Sequence, residues 1–203
     1  MPPTSQPVER CVWCLKDAQE MHYHDTEWGV PVHDDQKHFE FIVLDTFQAG
    51  LSWKTVLHKR EAFRKAFDGF NYKKIARYND AKIESLIQDA TIIRNKLKIK
   101  ATVTNARAFL DIQKEFKRFD DYIWQFTGHK TLNARRKQHN EIPATSPESD
   151  LMSKDLYARG FKFVGSTICY AYMQAAGMVN DHLENCFRYK QIETIAKRSK
   201  ING

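Results

Sequence analysis

Between residues 34 and 67 the chain reads "DDQKHFEFIVLDTFQAGLSWKTVLHKREAFRKAF", and its apolar residues recur at intervals of three and four. That is the repeat of one face of an α-helix, so the stretch predicts helices, and Gly50 divides it into two that meet at "AGLSW". The same spacing continues in "DAKIESLIQ", with Asp80 as the expected cap, and in "KLKIKATVTNARAFLDIQKEF". In "SPESD", Ser146 has the place of a cap, Pro147 that of a first-turn proline and Gly160 that of a stop. "STICYAYMQAAG" predicts a buried helix ending at Gly177. Alternation with a period of two is confined to the short "FKFVG", so the expected fold class is all-α. The polar, basic stretch from Thr127 to Ser146 predicts a surface loop.

A length of 203 residues is enough for one core, so residues 1–203 are expected to form a single compact unit. With 42% hydrophobic and 28% charged residues, the chain is unsuited to general disorder. Its formal charge of +7 favours a polyanionic partner. No apolar run approaches the roughly 20 residues of a membrane helix, and "MPPTSQPVER" lacks a signal peptide's hydrophobic stretch. A cytoplasmic monomer without membrane contact is the expectation. Cysteines at 11, 14, 169 and 186 are too scattered for a disulfide scaffold, which leaves thiols or metal ligands.

"NDHLENC" places His182 and Cys186 four residues apart, one helical turn, close enough to grip one metal ion. A structural zinc site needs four nitrogen or thiolate ligands. Candidates for the other two lie near the opposite end, in "RCVWC" and "MHYHDTEWG". Spacing alone does not choose between Cys11 and Cys14, or between His22 and His24, and a purely local site in that N-terminal segment competes with a clasp between the two ends.

Taken together, "YHDTEWGVP", "QAGLSWKTVLHKREAFRKAF", "GFKFVGSTICYAYMQAAGMVNDH" and the "ERC" near the start resemble the DNA-3-methyladenine glycosylase I family of helix-hairpin-helix repair enzymes, over residues 9–187. The resemblance implies an α-helical enzyme that hydrolyses the bond between an alkylated adenine and deoxyribose in double-stranded DNA, without strand cleavage and without an organic cofactor. It implies one structural zinc ion, held by Cys11, His24, His182 and Cys186, clasping the N- and C-terminal segments. It also implies a hairpin near 83–105, at "DATIIRNKLKI", with Arg94 and Lys98 toward DNA, and leaves 188–203 as a basic tail. Thr91 stands at the family's tight-turn glycine, so the turn must tolerate a Cβ or take another backbone geometry.

Enzymes that excise a base swing it out of the duplex into a pocket that stacks its faces and reads its edge. By the same resemblance, Trp13, Tyr23 and Trp53 are pocket aromatics and Leu51, beside Gly50, plugs the vacated stack. The catalytic, base-reading carboxylate falls on Asp45, where the family typically has Glu, and Glu20 occupies a position commonly held by a pocket tyrosine. Phe47 replaces a usual polar residue, and the set implies a remodelled pocket. The alternative function is a zinc-stapled DNA-binding protein of the same fold with weak or no glycosylase activity. Glu40 reads as a surface charge on another side of its helix.

Overall fold

Helices dominate the computed structural model, which describes residues 8–199. In chain order they are α1 (Ala18–Thr26), α2 (Asp35–Gln48), α3 (Trp53–His58), α4 (Arg60–Ala66), α5 (Tyr72–Ile75), α6 (Asp80–Gln88), α7 (Lys96–Phe116) and α8 (Phe119–Trp124). Then follow α9 (Pro147–Ala158), α10 (Ser166–Ala175) and α11 (Phe187–Ser199). The one sheet among the described residues pairs β1 (Leu132–Asn133) in parallel with β2 (Val179–Asn180). The fold is mostly helical, as the three- and four-residue spacing requires. "FKFVG" forms no strand, because its few alternating residues find no partner, and the short pairing lies instead at the edge of the expected loop.

Contacts divide the described residues into two compact units. The first comprises the described residues of Met1–Pro31, Lys130–Pro143 and Met173–Gly203, and the second Val32–His129 with Ala144–Tyr172. In the first unit three distant stretches are laced by backbone bonds, Leu132 N–H to Met178 O at 2.9 Å, Glu184 N–H to Arg136 O at 2.8 Å and Phe187 N–H to Glu9 O at 3.0 Å. Gly177 permits the closest approach. Its φ is +68°, and a Cβ there would lie 2.4 Å from Pro31 N and Val30 C, so only glycine fits. The basic tail, as far as Ser199, belongs to α11, which has a buried side, Ile192 being fully enclosed and Tyr189 nearly so; residues 200–203 lie outside the described residues.

In the second unit α2 is the central element. Every residue from His38 to Phe47 is buried, as for a helix surrounded on all sides. Asp34 caps its start by accepting from Lys37 N–H at 2.8 Å. Rings make the core: Phe109 stacks on Phe119 with centroids 4.0 Å apart, and Phe47 lies 4.6 Å from Phe63. Truncating such a ring to alanine costs about 3–5 kcal/mol. The segment after Gly50 forms α3 and α4, two helices where one was expected, broken at Lys59 with φ −100° and ψ 0°. The cap of α6 is Asn79, which accepts from Lys82 N–H at 2.9 Å, so Asp80 is the first helical residue. Ser146 caps α9 as expected, in a capping box with Ser149.

Candidate functional site

Four buried ligand atoms meet in the first unit: one each from Cys11, His24, His182 and Cys186, all within 4.8 Å of one another. Cys186 Sγ lies 3.4 Å from His24 Nε2 and 3.6 Å from His182 Nδ1, and Cys11 Sγ lies 3.8 Å from His182 Nδ1. With metal–sulfur bonds of about 2.3 Å and metal–nitrogen bonds of about 2.0 Å, a tetrahedron has sulfur–nitrogen edges of about 3.5 Å. The cluster has those edges and can hold a metal ion.

Tautomers agree with that use. His182 Nε2–H donates to Trp28 O at 3.0 Å, which leaves the Nδ1 lone pair facing both sulfurs. His24 Nδ1–H donates to Asp25 Oδ1 at 2.8 Å, which turns Nε2 toward Cys186, and Arg10 in turn holds Asp25 at 2.9 Å. Burial lowers the pKa of His182, favouring the neutral ring that a ligand needs. The Cys186 sulfur is drawn below the usual thiol range by its hydrogen bond with Cys11, assisted by His182 and His24. Cys14 stands apart, its Sγ–H donating to Cys11 O at 3.1 Å, and His22 is exposed. The choices that spacing left open fall on Cys11 and His24.

Trp13 and Tyr23 belong to the same unit. Their rings are 6.5 Å apart, and Trp13 also meets Trp28 at 5.2 Å and His24 at 5.6 Å, so these aromatics brace the ligand cluster. Trp13 Nε1 is buried with no hydrogen-bond partner among the described residues. Glu20 lies in the first turn of α1, whose cap is Asp17, and is partly exposed.

Asp45 is in the second unit, on α2, and is 2% exposed. Its Oδ2 has no hydrogen-bond partner among the described residues. Burial raises its pKa well above the usual carboxylate range, opposed by the charge of Arg60. Beside it is a cavity of about 10 Å³, whose walls include Ile42, Ile123, Leu156, Cys169 and Tyr172. That is at the lower limit for one water molecule and is no seat for a purine. An uncommitted buried carboxyl costs stability, and such groups mark functional sites more often than structural ones.

The residues expected at DNA are placed differently from one another. Gly50, two residues past the end of α2, has φ +78°, and Leu51 beside it is 44% exposed, an apolar side chain held in solvent. Trp53 is partly buried in the first turn of α3. Between α6 and α7, Asp89 Oδ1 accepts from Thr91 N–H at 2.9 Å and from its hydroxyl at 2.6 Å. Thr91 is not among the residues with positive φ, so the turn takes a geometry that accepts its Cβ and adds a side-chain bond. Asn95 caps α7 and Arg94 is exposed. Lys98 departs from the expectation: it is 5% exposed, and its ammonium donates to Phe47 O at 2.9 Å and to Ala49 O. The C-terminal carbonyls of α2 attract this cation away from solvent. Glu40 is likewise interior, paired with Arg60 at 2.8 Å, Arg64 at 2.7 Å and Lys37 at 3.2 Å.

Sequence reasoning missed one constellation, a buried chain of hydrogen bonds from Tyr172 to His38 to Asp120. Its members sit on α10, α2 and α8, and nothing in their local patterns connects them.

A family model described as methyladenine glycosylase matches residues 13–189. DNA-3-methyladenine glycosylase 1 of Escherichia coli (strain K12) is 47% identical over 182 residues, covering 90% of this chain and 97% of the relative. A crystal structure of 3-methyladenine DNA glycosylase I superposes with a TM-score of 0.86 at 45% identity, covering 88% of this chain and 98% of the other. Another, a 3-methyladenine DNA glycosylase I variant in complex with 3-methyladenine, gives 0.85 at 30% identity over 88% and 96%. The range of the family model includes His24, His182 and Cys186 of the ligand cluster, α2 with its buried acid, and the turn between α6 and α7. The chain belongs to the methyladenine glycosylase family.

Proposed function

We propose that this chain is a monofunctional DNA glycosylase that releases 3-methyladenine from damaged double-stranded DNA, with Asp45 as the base-reading and catalytic carboxylate. The observation that carries the reading is the buried, uncommitted carboxyl of Asp45 on the central helix of a methyladenine glycosylase family member. The names of its relatives support the substrate.

An alkylated adenine in DNA is already a cation and therefore a good leaving group. The C1′–N9 bond breaks with its electron pair passing to the base, and water supplies the oxygen that bonds C1′ while its proton goes to solvent. Burial disfavours the Asp45 anion when nothing faces it; an arriving cation shifts that balance toward the carboxylate. The protein contributes recognition and a counter-charge where positive charge spreads between base and sugar. Trp13, Tyr23 and Trp53 are assigned to stack the everted base, with Glu20 a second acid near its edge. Leu51 at the Gly50 turn takes the vacated place in the stack, and Arg94 with the N-terminus of α7 holds phosphate. Lys98 acts on α2 instead of on DNA.

Zinc is the ion that best suits a closed set of two cysteines and two histidines. Held by Cys11, His24, His182 and Cys186, it leaves no open position for substrate and serves as a structural staple. No helix among the described residues is long and apolar enough to cross a membrane. A cytoplasmic monomer fits this reading.

Incubation of the protein with methylated duplex, followed by chromatography of released bases, tests the proposal. Free 3-methyladenine from an unbroken strand, with no borohydride-trapped adduct, is the expected result. Tight duplex binding with no free base would move the chain to the zinc-stapled binder.

A further inference from the structure

Past residue 189, where the family match ends, α11 continues to Ser199. At the start of this helix Arg188 is withdrawn from solvent, being 8% exposed. Its Nη1 donates to Gln191 Oε1 at 2.7 Å, the one side-chain hydrogen bond that it makes among the described residues. Nε is enclosed without a partner, so the edge of the guanidinium formed by Nε and Nη2 is uncommitted. Arg188 forms no ion pair among the described residues either: Asp25, the carboxylate whose charge acts on it, is bonded to Arg10 and His24. Residues 1–7 and 200–203 contain no Asp or Glu to serve instead. A cation taken out of water without a counter-charge costs stability, and an anion from outside the chain removes that cost.

Arg188 and its partner Gln191 both line an open cleft, together with Lys190, Thr194 and Ile195. Positions 188, 191 and 195 recur at intervals of three and four, with 190 and 194 beside them, so one side of α11 supplies all five. None of the five is acidic. The Thr194 hydroxyl donates to Lys190 O at 2.8 Å and is wall more than donor. Gln191 spends its oxygen on Arg188, which leaves its amide N–H groups for a ligand, and Lys190 and Gln191 are both exposed. The donors on offer are therefore the planar edge of a guanidinium, an amide and an ammonium. Such an edge grips two oxygens of a carboxylate or a phosphate side by side. A carboxylate has only those two, whereas a phosphate has further oxygens to turn toward Lys190 and Gln191.

We propose that this side of α11 is a phosphate-binding site, with the free edge of Arg188 as its centre and Lys190 and Gln191 as flanking donors. The residues that build it include none assigned above to base excision, so the site stands or falls independently of Asp45. A phosphate group reaches it from one of two sources, the free anion or the backbone of DNA, and the two are separated by experiment. Gln191 is the position that controls the site. A carboxylate there would sit against Nη1 of Arg188, supply the missing counter-charge from within the chain and withdraw the amide donor.

The test titrates the full chain with inorganic phosphate and, separately, with an unmethylated DNA duplex at constant ionic strength, following the N–H resonance of Arg188 Nε assigned through its own side-chain carbons. Phosphate should move that resonance to saturation with a millimolar or tighter midpoint, and should raise the melting temperature by about 3–5 °C for each tenfold excess over the midpoint. Gln191→Glu, a change at an exposed position, should melt higher than wild type in phosphate-free buffer and lose the Nε response. If the duplex moves the resonance and free phosphate does not, the source is the DNA backbone. In that case Gln191→Glu should weaken duplex binding several-fold and lower the slope of log K against log salt by about one. Either result supports the site, and base release at saturating duplex should be the same in Gln191→Glu as in wild type. A resonance unmoved by both probes, or moved as far in Gln191→Glu as in wild type, would overturn the proposal, as would a phosphate response that never saturates.

Discussion

The ammonium of Lys98, in the first turn of α7, donates to the backbone oxygen of Phe47 at 2.9 Å and so caps the end of the helix that carries Asp45. The turn between α6 and α7 is held as well, since Lys59, between α3 and α4, donates to Thr91 O at 2.8 Å. Lys98→Met keeps the length and apolar stem of the side chain but leaves those carbonyls without their donor. The expected cost is about 1–3 kcal/mol, or roughly 2–4 °C of melting temperature per kcal/mol in a chain of this size. Base release should fall further than duplex affinity, because the disturbed element is α2; thermal melts and binding isotherms on the same preparation check both.

Arg94 is the contrasting cation, exposed beside the cap of α7. Arg94→Ala should weaken binding to methylated and unmethylated duplex alike and lower the slope of log K against log salt by about one. A loss confined to methylated DNA would place Arg94 at the base instead.

For the ligand cluster proposed to hold zinc, Cys186→Ala removes the sulfur that meets both histidines. The variant should purify without metal and melt well below the parent, as a chelator-treated sample of the parent should. Asp25→Ala leaves all four ligands but frees His24 to rotate, and loss of such a supporting bond lowers metal affinity by about 10–100-fold. Elemental analysis and competition with a chromogenic chelator measure the two effects.

Asp45 also predicts a stability signature. Its folded pKa is raised above the unfolded value by burial, so the native state binds a proton that the unfolded chain has lost. Between those two pKa values stability falls as pH rises, and at acid pH below both the penalty vanishes. Asp45→Asn, which cannot ionise, should match wild type at acid pH and become the more stable protein as pH climbs toward neutrality. Denaturant titrations at several pH values reveal the crossover; a gap independent of pH would mean that Asp45 is ionised in the native fold.

Much of the scaffold was open to reading because it is local. The boundaries of α7 coincide with the segment whose apolar stripe marked it, and Ser146 caps α9 because a hydroxyl before proline has few better uses. The four candidate ligands were named by resemblance, and the fold gathers their ligand atoms within 4.8 Å of one another, with His182 bonded to Trp28 and His24 to Asp25. What escaped depends on distance along the chain. Lys98 looks like one more solvated cation in a basic run until α2 brings its carbonyls to it. Tyr172 and His38 are 134 positions apart and His38 and Asp120 are 82, and no periodicity links such partners. Glu40 read as a surface charge because the arginines that surround it lie a helix away.

The account turns on whether the uncommitted acid of α2 performs the chemistry. Single-turnover release of 3-methyladenine from methylated duplex, compared between wild type and Asp45→Asn at equal bound fraction across pH, measures this directly. The account predicts a wild-type rate that climbs with pH as Asp45 ionises, and for Asp45→Asn a rate at least about a hundredfold lower that does not change with pH. A variant that releases the base at the wild-type rate with the same pH profile would contradict it.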